Sequence, residues 1–438
     1  MDSFNPFPSP PCGVRKKNIV IGGGVIGVLS AYELARAGHE VVLIEAAAPG
    51  NGSSSRSAAC IRQQWTTSST VRGMRYATEF YRRWSEIFGV DSPIRQNGYL
   101  FLKDWRADLE KCRELVEMQR EAGLTEVELL LPSEIEGKFP YIELTGIKAA
   151  TWCPTDGFLL PDVVYNSACE KIREFGAEVI LNDPVIGAKL TKSGSFGPAS
   201  SVTTLSGREI RGDIFVNAAG VWAPSVRNFF TNADYFGDRK ILPIVARRRY
   251  LYFLNGFPEG QAGEFGLDND SIPGMPMAIT PNLCYCRPET GHKIMMGWLH
   301  HTNPELDLSF ESQDKIEKDF GIQSENSFGR AIAKELIPYF PDFEGLRLSA
   351  ATAGYYEDSP DHNPFIGRDP YVPNLIHVAG FSGHGLMMAP FAALIVAHLA
   401  SKENVELRKI DLPAGFGMVD IGPFAIGRQF DHAEGLVI

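Results

Sequence analysis

The chain has 438 residues, of which 44% are hydrophobic and 22% charged, proportions that exclude a disordered, collagen-like or coiled-coil chain. Lys and Arg number 42 against 53 Asp and Glu, a formal charge of −11. Binding nucleic acid through its phosphates takes clustered positive charge, so that activity is not expected. The first 17 residues, MDSFNPFPSPPCGVRKK, lack an apolar run and read as a flexible tail rather than a secretory signal. NIVIGG (18–23) predicts a strand and VIGVLSAYELARAG (25–38) a helix, with Gly38 as its stop. HEVVLIE (39–45) predicts a second buried strand and completes a βαβ unit. Residues 46–64 are small and polar, a loop. Helical patterns follow at 66–88 and 105–122, then a helix and strand over 161–181 and a meander over 184–220 that ends in a buried strand. Residues 241–255 and 276–299 alternate as strands do, 311–338 read as helical, 347–356 and 374–379 as strands, and 385–400 as a helix; 401–438 look irregular. The apolar run 386–400 is shorter than the ~20 residues a membrane span needs, and Pro390 and His398 interrupt it, so no transmembrane segment is expected.

The seven cysteines, Cys12, Cys60, Cys112, Cys153, Cys169, Cys284 and Cys286, are odd in number and irregularly spaced. They read as reduced thiols of a cytoplasmic protein. Cys284 and Cys286 are expected on opposite faces of one strand; no second pair or nearby His completes a metal site. Strands alternate with helices at both ends of the chain. That points to one α/β domain built from separated segments, with a strand-rich second domain inserted into it.

Glycine, 43 of 438, is in modest excess, and its positions carry the main motif. Gly22-x-Gly24-x-x-Gly27 follows a strand and opens a helix. Gly22 allows the tight turn, Gly24 lets a pyrophosphate approach the backbone, and Gly27 lets helix and sheet pack closely. Glu45 ends the next strand about 20 residues on, where a carboxylate can accept from both ribose hydroxyls. A dinucleotide site follows, and a terminal Glu with no adjacent Arg disfavours a 2′-phosphate. The fingerprint does not separate FAD from NAD. Three later features favour FAD: the small-residue loop Gly52–Ala59 (GSSSRSAA), able to pass under a flat ring; the strand and turn DIFVNAAGVW (213–222); and GFSGHGL (380–386), a second glycine-rich turn into a helix.

Together these segments resemble the glycine oxidase, sarcosine oxidase and D-amino-acid oxidase family of FAD-dependent amine oxidoreductases, over about residues 17 to 400. GYYEDSPDHNPFIG (354–367) and HVAGFSGHGLMMAP (377–390) add to the likeness. Pro243 with Arg247-Arg248-Arg249-Tyr250, and Ala353-Gly354-Tyr355-Tyr356, bring it nearest to the FAD-dependent oxidoreductase-domain proteins, a branch that includes a mitochondrial factor for respiratory complex assembly. The resemblance implies a Rossmann-like FAD-binding domain (17–90, 155–235, 345–410) interleaved with a substrate domain on a mostly antiparallel sheet (91–154, 236–344), an α/β (α+β) fold with a tail at 1–16 and an extension at 411–438. It implies FAD contacts by Val25, Ile26, Glu45 and Ala46, by Ser53, Ser54, Arg56, Ser57 and Ala58, by Val185, and by Ala219, Gly220 and Trp222. Gly354, Asp361 and Ile366 match the segment beneath the flavin, and Gly383, His384, Gly385 and Leu386 begin a helix whose N–H groups suit the anionic edge of a reduced ring.

The departures from the family are specific. Relatives that attach the flavin covalently use a Cys where Gly354 stands or a His where Ser57 stands, so non-covalent FAD is expected. Met295 stands where sarcosine oxidases place a Lys that activates oxygen, with Lys293 two residues away; this leans toward a dehydrogenase that passes electrons to a quinone or carrier protein rather than to O2. Arg62 matches an Arg that grips the substrate carboxylate, but Met387 replaces the Lys beside it. Tyr250 and Tyr252 are candidates to line the amine pocket, with Tyr355 and Tyr356 near the flavin. The expected activity is oxidation of the C–N bond of an amine or N-alkyl amino acid, by hydride transfer to flavin N5 and hydrolysis of the imine. The alternatives are a flavoprotein that acts mainly as an assembly partner and an NAD-dependent dehydrogenase.

Overall fold

Short runs of β-branched residues, buried on both faces, build the first sheet. Its order is Phe365–Arg368, Leu375–Ala379, Ile214–Asn217, Lys17–Ile21, Glu40–Ile44, Glu178–Ile180, with every pairing parallel except that of the first edge strand. The computed structural model describes residues 14–191, 196–231, 241–257, 274–290, 292–299, 328–401 and 408–430. From Lys17–Ile21 the chain moves outward to Glu40–Ile44 on one side, and Ile214–Asn217 lies on the other. At such a reversal the loops that leave the strand ends diverge and open a crevice.

The helices Val25–Arg36 and Gly385–Ser401 pack against each other and are buried almost throughout. Gly385–Ser401 is a core element; among the described residues no helix is long and apolar enough to cross a membrane. The helical run expected at 66–88 divides into Ser68–Arg82 and Trp84–Phe88. Thr67 caps the first by accepting the Thr70 N–H at 3.2 Å.

The second sheet has eight strands in the order Arg347–Asp358, Val245–Asn255, Lys293–Trp298, Cys284–Glu289, Met277–Ile279, Tyr99–Asp104, Ile147–Cys153, Glu128–Leu130. All neighbours are antiparallel except Met277–Ile279 with Tyr99–Asp104. The α/β fold with a largely parallel sheet and a mostly antiparallel one is therefore the expected class. Arg347–Asp358, expected with the cofactor domain, pairs along Val245–Asn255 in the second sheet.

Three local readings change. Cys284 and Cys286 share one buried face with Tyr252 and Met296, since residues two apart on a strand point the same way. Of the helix expected at 311–338, Phe328–Leu336 is helical and 311–327 lie outside the described residues. The segment read as irregular after 401 forms a hairpin, Lys409–Leu412 with Gly417–Asp420, whose Ile410, Leu412 and Val419 enter the main core with Phe424.

Candidate active site

The crevice at the strand ends is a cleft of about 440 Å³, lined by both sheets and by the loops between them. Its floor is the first turn. Gly22 has φ +109°, and a Cβ there would lie 2.5 Å from the Ala218 carbonyl oxygen. A Cβ on Gly27 would lie 1.8 Å from the Gly22 carbonyl oxygen, so Gly27 sits behind the wall and sets how closely the helix approaches the turn. Gly22, Gly24, Val25 and Ile26 line the cleft. The Val25 N–H donates to Ser54 Oγ at 3.0 Å, which ties the helix start to the following loop. A helix N-terminus of this kind favours an anion through its free N–H groups and its dipole.

Glu45 lines the same cleft, with its carboxylate fixed by the Gly23 N–H at 2.5 Å and the Ala47 N–H at 2.8 Å. Ala46 is beside it, and Val185 with Pro184 and Phe229 gives an apolar wall. Ala219, Gly220 and Trp222 line the opposite strand end. The loop bearing Ser53, Ser54, Arg56, Ser57 and Ala58 crosses the strand Arg347–Asp358. Ser53 Oγ donates to the Tyr355 carbonyl at 2.8 Å, and a Cβ on Gly354 would lie 3.0 Å from Arg56 Cβ. Arg56 also donates to the carbonyls of Asn51 and, at 3.0 Å, Gly52. Gly383, Gly385 and Leu386 close the wall at the start of the last long helix.

The far end is made of Arg249, Leu251, Tyr285 and Tyr356. The Arg249 guanidinium lies 5.1 Å above the Tyr356 ring and 3.7 Å from Asp358, whose carboxylate Arg247 approaches at 3.0 Å. Burial pushes the Tyr356 hydroxyl up to about 12, against the pull of Arg249, and holds Tyr285 well above the ordinary tyrosine range. Both hydroxyls are neutral donors at pH 7.

Besides Gly27, eight of the residues singled out from sequence stand off this wall. Tyr250 and Tyr252 alternate with Arg249 and Leu251, and so face the other way, each packed about 6 Å from the Phe328 ring. Met295 is 1% exposed in a cluster with Leu251 and Tyr285, and Met387 belongs to the main core. Asp361 is gripped through both oxygens by Arg428 at 2.7 Å, and Ile366 is a core residue of its strand. Arg62 is fully buried with its guanidinium 4.2 Å over the Trp65 ring. The His384 ring meets the same Trp65 edge-on at 4.7 Å. Burial, reinforced by the Arg62 charge, holds His384 well below the usual histidine range, so its imidazole is neutral. Arg249, Tyr285 and Glu357 are cleft residues that sequence reasoning did not select. The strand alternation that brought out Tyr250 carried the signal for Arg249, one position away.

The donor set fits FAD. A backbone cradle for a pyrophosphate, an acid fixed at the second strand end and an elongated cleft between two sheets match its phosphate, ribose and ring portions. The family model described as FAD dependent oxidoreductase matches residues 17–399. FAD-dependent oxidoreductase domain-containing protein 1 of Xenopus laevis is 28% identical over 88% of this chain and 79% of its own. Mitochondrial sarcosine dehydrogenase of Homo sapiens is 24% identical over 89% of this chain and 40% of its own length. The crystal structure of L-proline dehydrogenase from P. horikoshii superposes with a TM-score of 0.73 at 28% identity, over 91% of this chain and 96% of that one. With the cleft geometry, these matches lead to one conclusion: the chain belongs to the FAD-dependent oxidoreductase family, with FAD as its cofactor.

Proposed function

We propose that the protein oxidises the C–N bond of an amine or N-alkyl amino acid, and that its electrons pass to a quinone or carrier protein in preference to O2. The observation that carries this reading is the far end of the cleft, where Arg249 stands with two neutral tyrosine hydroxyls and Leu251. Sarcosine and L-proline, which the two relatives are named for, are both secondary amines bearing a carboxylate. A cation beside hydroxyl donors suits the carboxylate, and an apolar side chain suits the carbon skeleton.

When bound, the flavin supplies acceptance of a hydride at N5 from the C–H beside nitrogen, leaving an imine that water hydrolyses. The chain's residues position and shield. In this reading Arg249 holds the carboxylate, Tyr285 and Tyr356 donate to it, and Leu251 keeps water from the reacting carbon. Arg62 and His384 form a second layer around Trp65. The N–H groups at Gly383, Gly385 and Leu386 favour negative charge at the edge they face. In this scheme the segments 17–90, 155–235 and 345–410 chiefly hold the flavin, and 91–154 and 236–344 the substrate.

The test is anaerobic bleaching of the purified yellow protein by a panel of primary amines, secondary amines and amino acids. Bleaching by carboxylate-bearing secondary amines supports the reading. A flavin that no amine bleaches refutes it and favours a flavoprotein that acts by contact.

A further inference from the structure

Two carboxylates stand on the described wall of the cleft, Glu45 and Glu357. Glu45 is accounted for by the two N–H groups that fix it and by the ribose expected at the second strand end. Glu357 is not. The backbone N–H groups of Gly380 and Phe381 donate to its carboxyl, yet its Oε2 is buried with no hydrogen-bond partner among the described residues. The cations nearby serve Asp358 instead. Gly220 lies opposite, where a Cβ would come within 3.8 Å of Glu357 Oε2.

Its neighbours fix where along the cofactor this acid lies. Gly220 continues the Ala218–Ala219 turn, which touches Gly22 at the phosphate cradle. Glu357 follows Tyr356, which closes the far end, and its carbonyl accepts the Ser382 N–H at 3.1 Å, just before the turn at Gly383. The carboxyl is therefore between the cradle for the pyrophosphate and the space for the ring. The part of FAD between those two is an open chain of carbons bearing three hydroxyls.

We propose that the Glu357 carboxyl is the hydrogen-bond partner of the polyol chain of the flavin. A hydroxyl both donates and accepts, so it satisfies an orphaned carboxyl oxygen in either protonation state. Burial pushes this carboxyl up to about 7, and both states are within reach near neutral pH. The inference rests on FAD occupying the cleft and is independent of which amine is oxidised.

The test measures affinity. The full-length chain is freed of flavin and titrated with FAD and with analogues that lack one hydroxyl, at the 2′, 3′ or 4′ ribityl carbon, following flavin fluorescence. In the wild type at least one analogue binds about 10-fold more weakly than FAD, the factor that one hydrogen bond to a charged group carries. In Glu357→Leu that analogue and FAD bind alike, both weakly, and Glu357→Gln keeps the discrimination. Glu357→Ser shortens the side chain without adding bulk and is read as the leucine variant is, should the latter not fold. An equal penalty in wild type and variant overturns the inference, as does a wild type that penalises no analogue. A chain that takes up no FAD overturns the flavin assignment along with it.

Discussion

Replacing Gly27 by Ala tests the geometry on which the whole cleft depends. The added Cβ would lie 1.8 Å from the Gly22 carbonyl oxygen, about 1.6 Å inside ordinary contact. Both atoms are set by backbone, so no side chain can swing aside; the helix Val25–Arg36 must withdraw from the turn. Overpacking of this kind costs about 1–3 kcal/mol of stability. The helix start carries the N–H groups expected to face the pyrophosphate, and a hydrogen bond to a charged group contributes about 1.5–3 kcal/mol. Losing the alignment of one of them weakens FAD binding by about 10- to 100-fold. Fluorescence titration of the flavin-free variant measures this, with Gly137→Ala as control. Gly137 has nothing within 4 Å of its Cβ position and lies in the helix Pro132–Lys138, where Ala is the better residue. A Gly27→Ala protein that binds FAD as tightly as the wild type refutes the reasoning.

Other outcomes follow from the same geometry. Arg249→Met raises KM for an amino-acid substrate by about 10- to 100-fold and leaves an amine without a carboxylate nearly unchanged, whereas equal effects on both substrates remove Arg249 from carboxylate binding. If Arg62→Ala shows that selectivity and Arg249→Met does not, the carboxylate belongs to Arg62. Acid precipitation should leave the yellow colour in the supernatant, because the described cleft wall, which includes Gly354 and Ser57, holds no Cys or His to form a bond to the ring; colour in the pellet contradicts this. Reduced protein mixed with air in a stopped-flow instrument should reoxidise slowly in the proposed reading, where Arg249, the cation described at the far end, is engaged by Asp358 and by the substrate carboxylate instead of a superoxide-like step, and rapid reoxidation would make it an oxidase. Burial pushes Asp369 upward, but the hydrogen bond from His377 at 2.9 Å and Arg227 at 2.6 Å hold it at about 2. Its folded value is depressed, so its stabilisation, about 2 kcal/mol, is complete above pH ~4 and fades as pH falls toward 2. Asp369→Asn should flatten acid unfolding over that window, and an unchanged profile counts against it.

The parts legible from sequence were those whose determinants are contiguous. Gly22, Gly24, Gly27 and Glu45 fall within one strand–helix–strand unit, so spacing alone relates them in space. The same holds for Gly383, Gly385 and Leu386. At the far end, the determinants come from strands distant in sequence. Alternation along Val245–Asn255 says that Arg249 and Tyr250 face opposite ways, but the face that meets the cleft is settled by the helix Phe328–Leu336, which covers Tyr250 and Tyr252. Asp361 carries a motif-like signal, yet its partner Arg428 comes from 67 residues away in a segment without periodicity. The hairpin after 408 was hidden because its buried residues, Ile410, Leu412 and Val419, are few and separated by charges.

The strand Arg347–Asp358 belongs to one sheet by its hydrogen bonds and to the other sheet's cleft by Gly354, Tyr356 and Glu357. It is a party wall. Neither unit could be lifted out intact, because removing the strand would strip Val245–Asn255 of a ladder neighbour and the flavin of one side of its enclosure. A chimaera that borrowed the amine pocket of a relative would inherit part of that relative's flavin environment with it. In this architecture, substrate preference and the electronic surroundings of the ring are heritable together, and mutations in one strand can shift both.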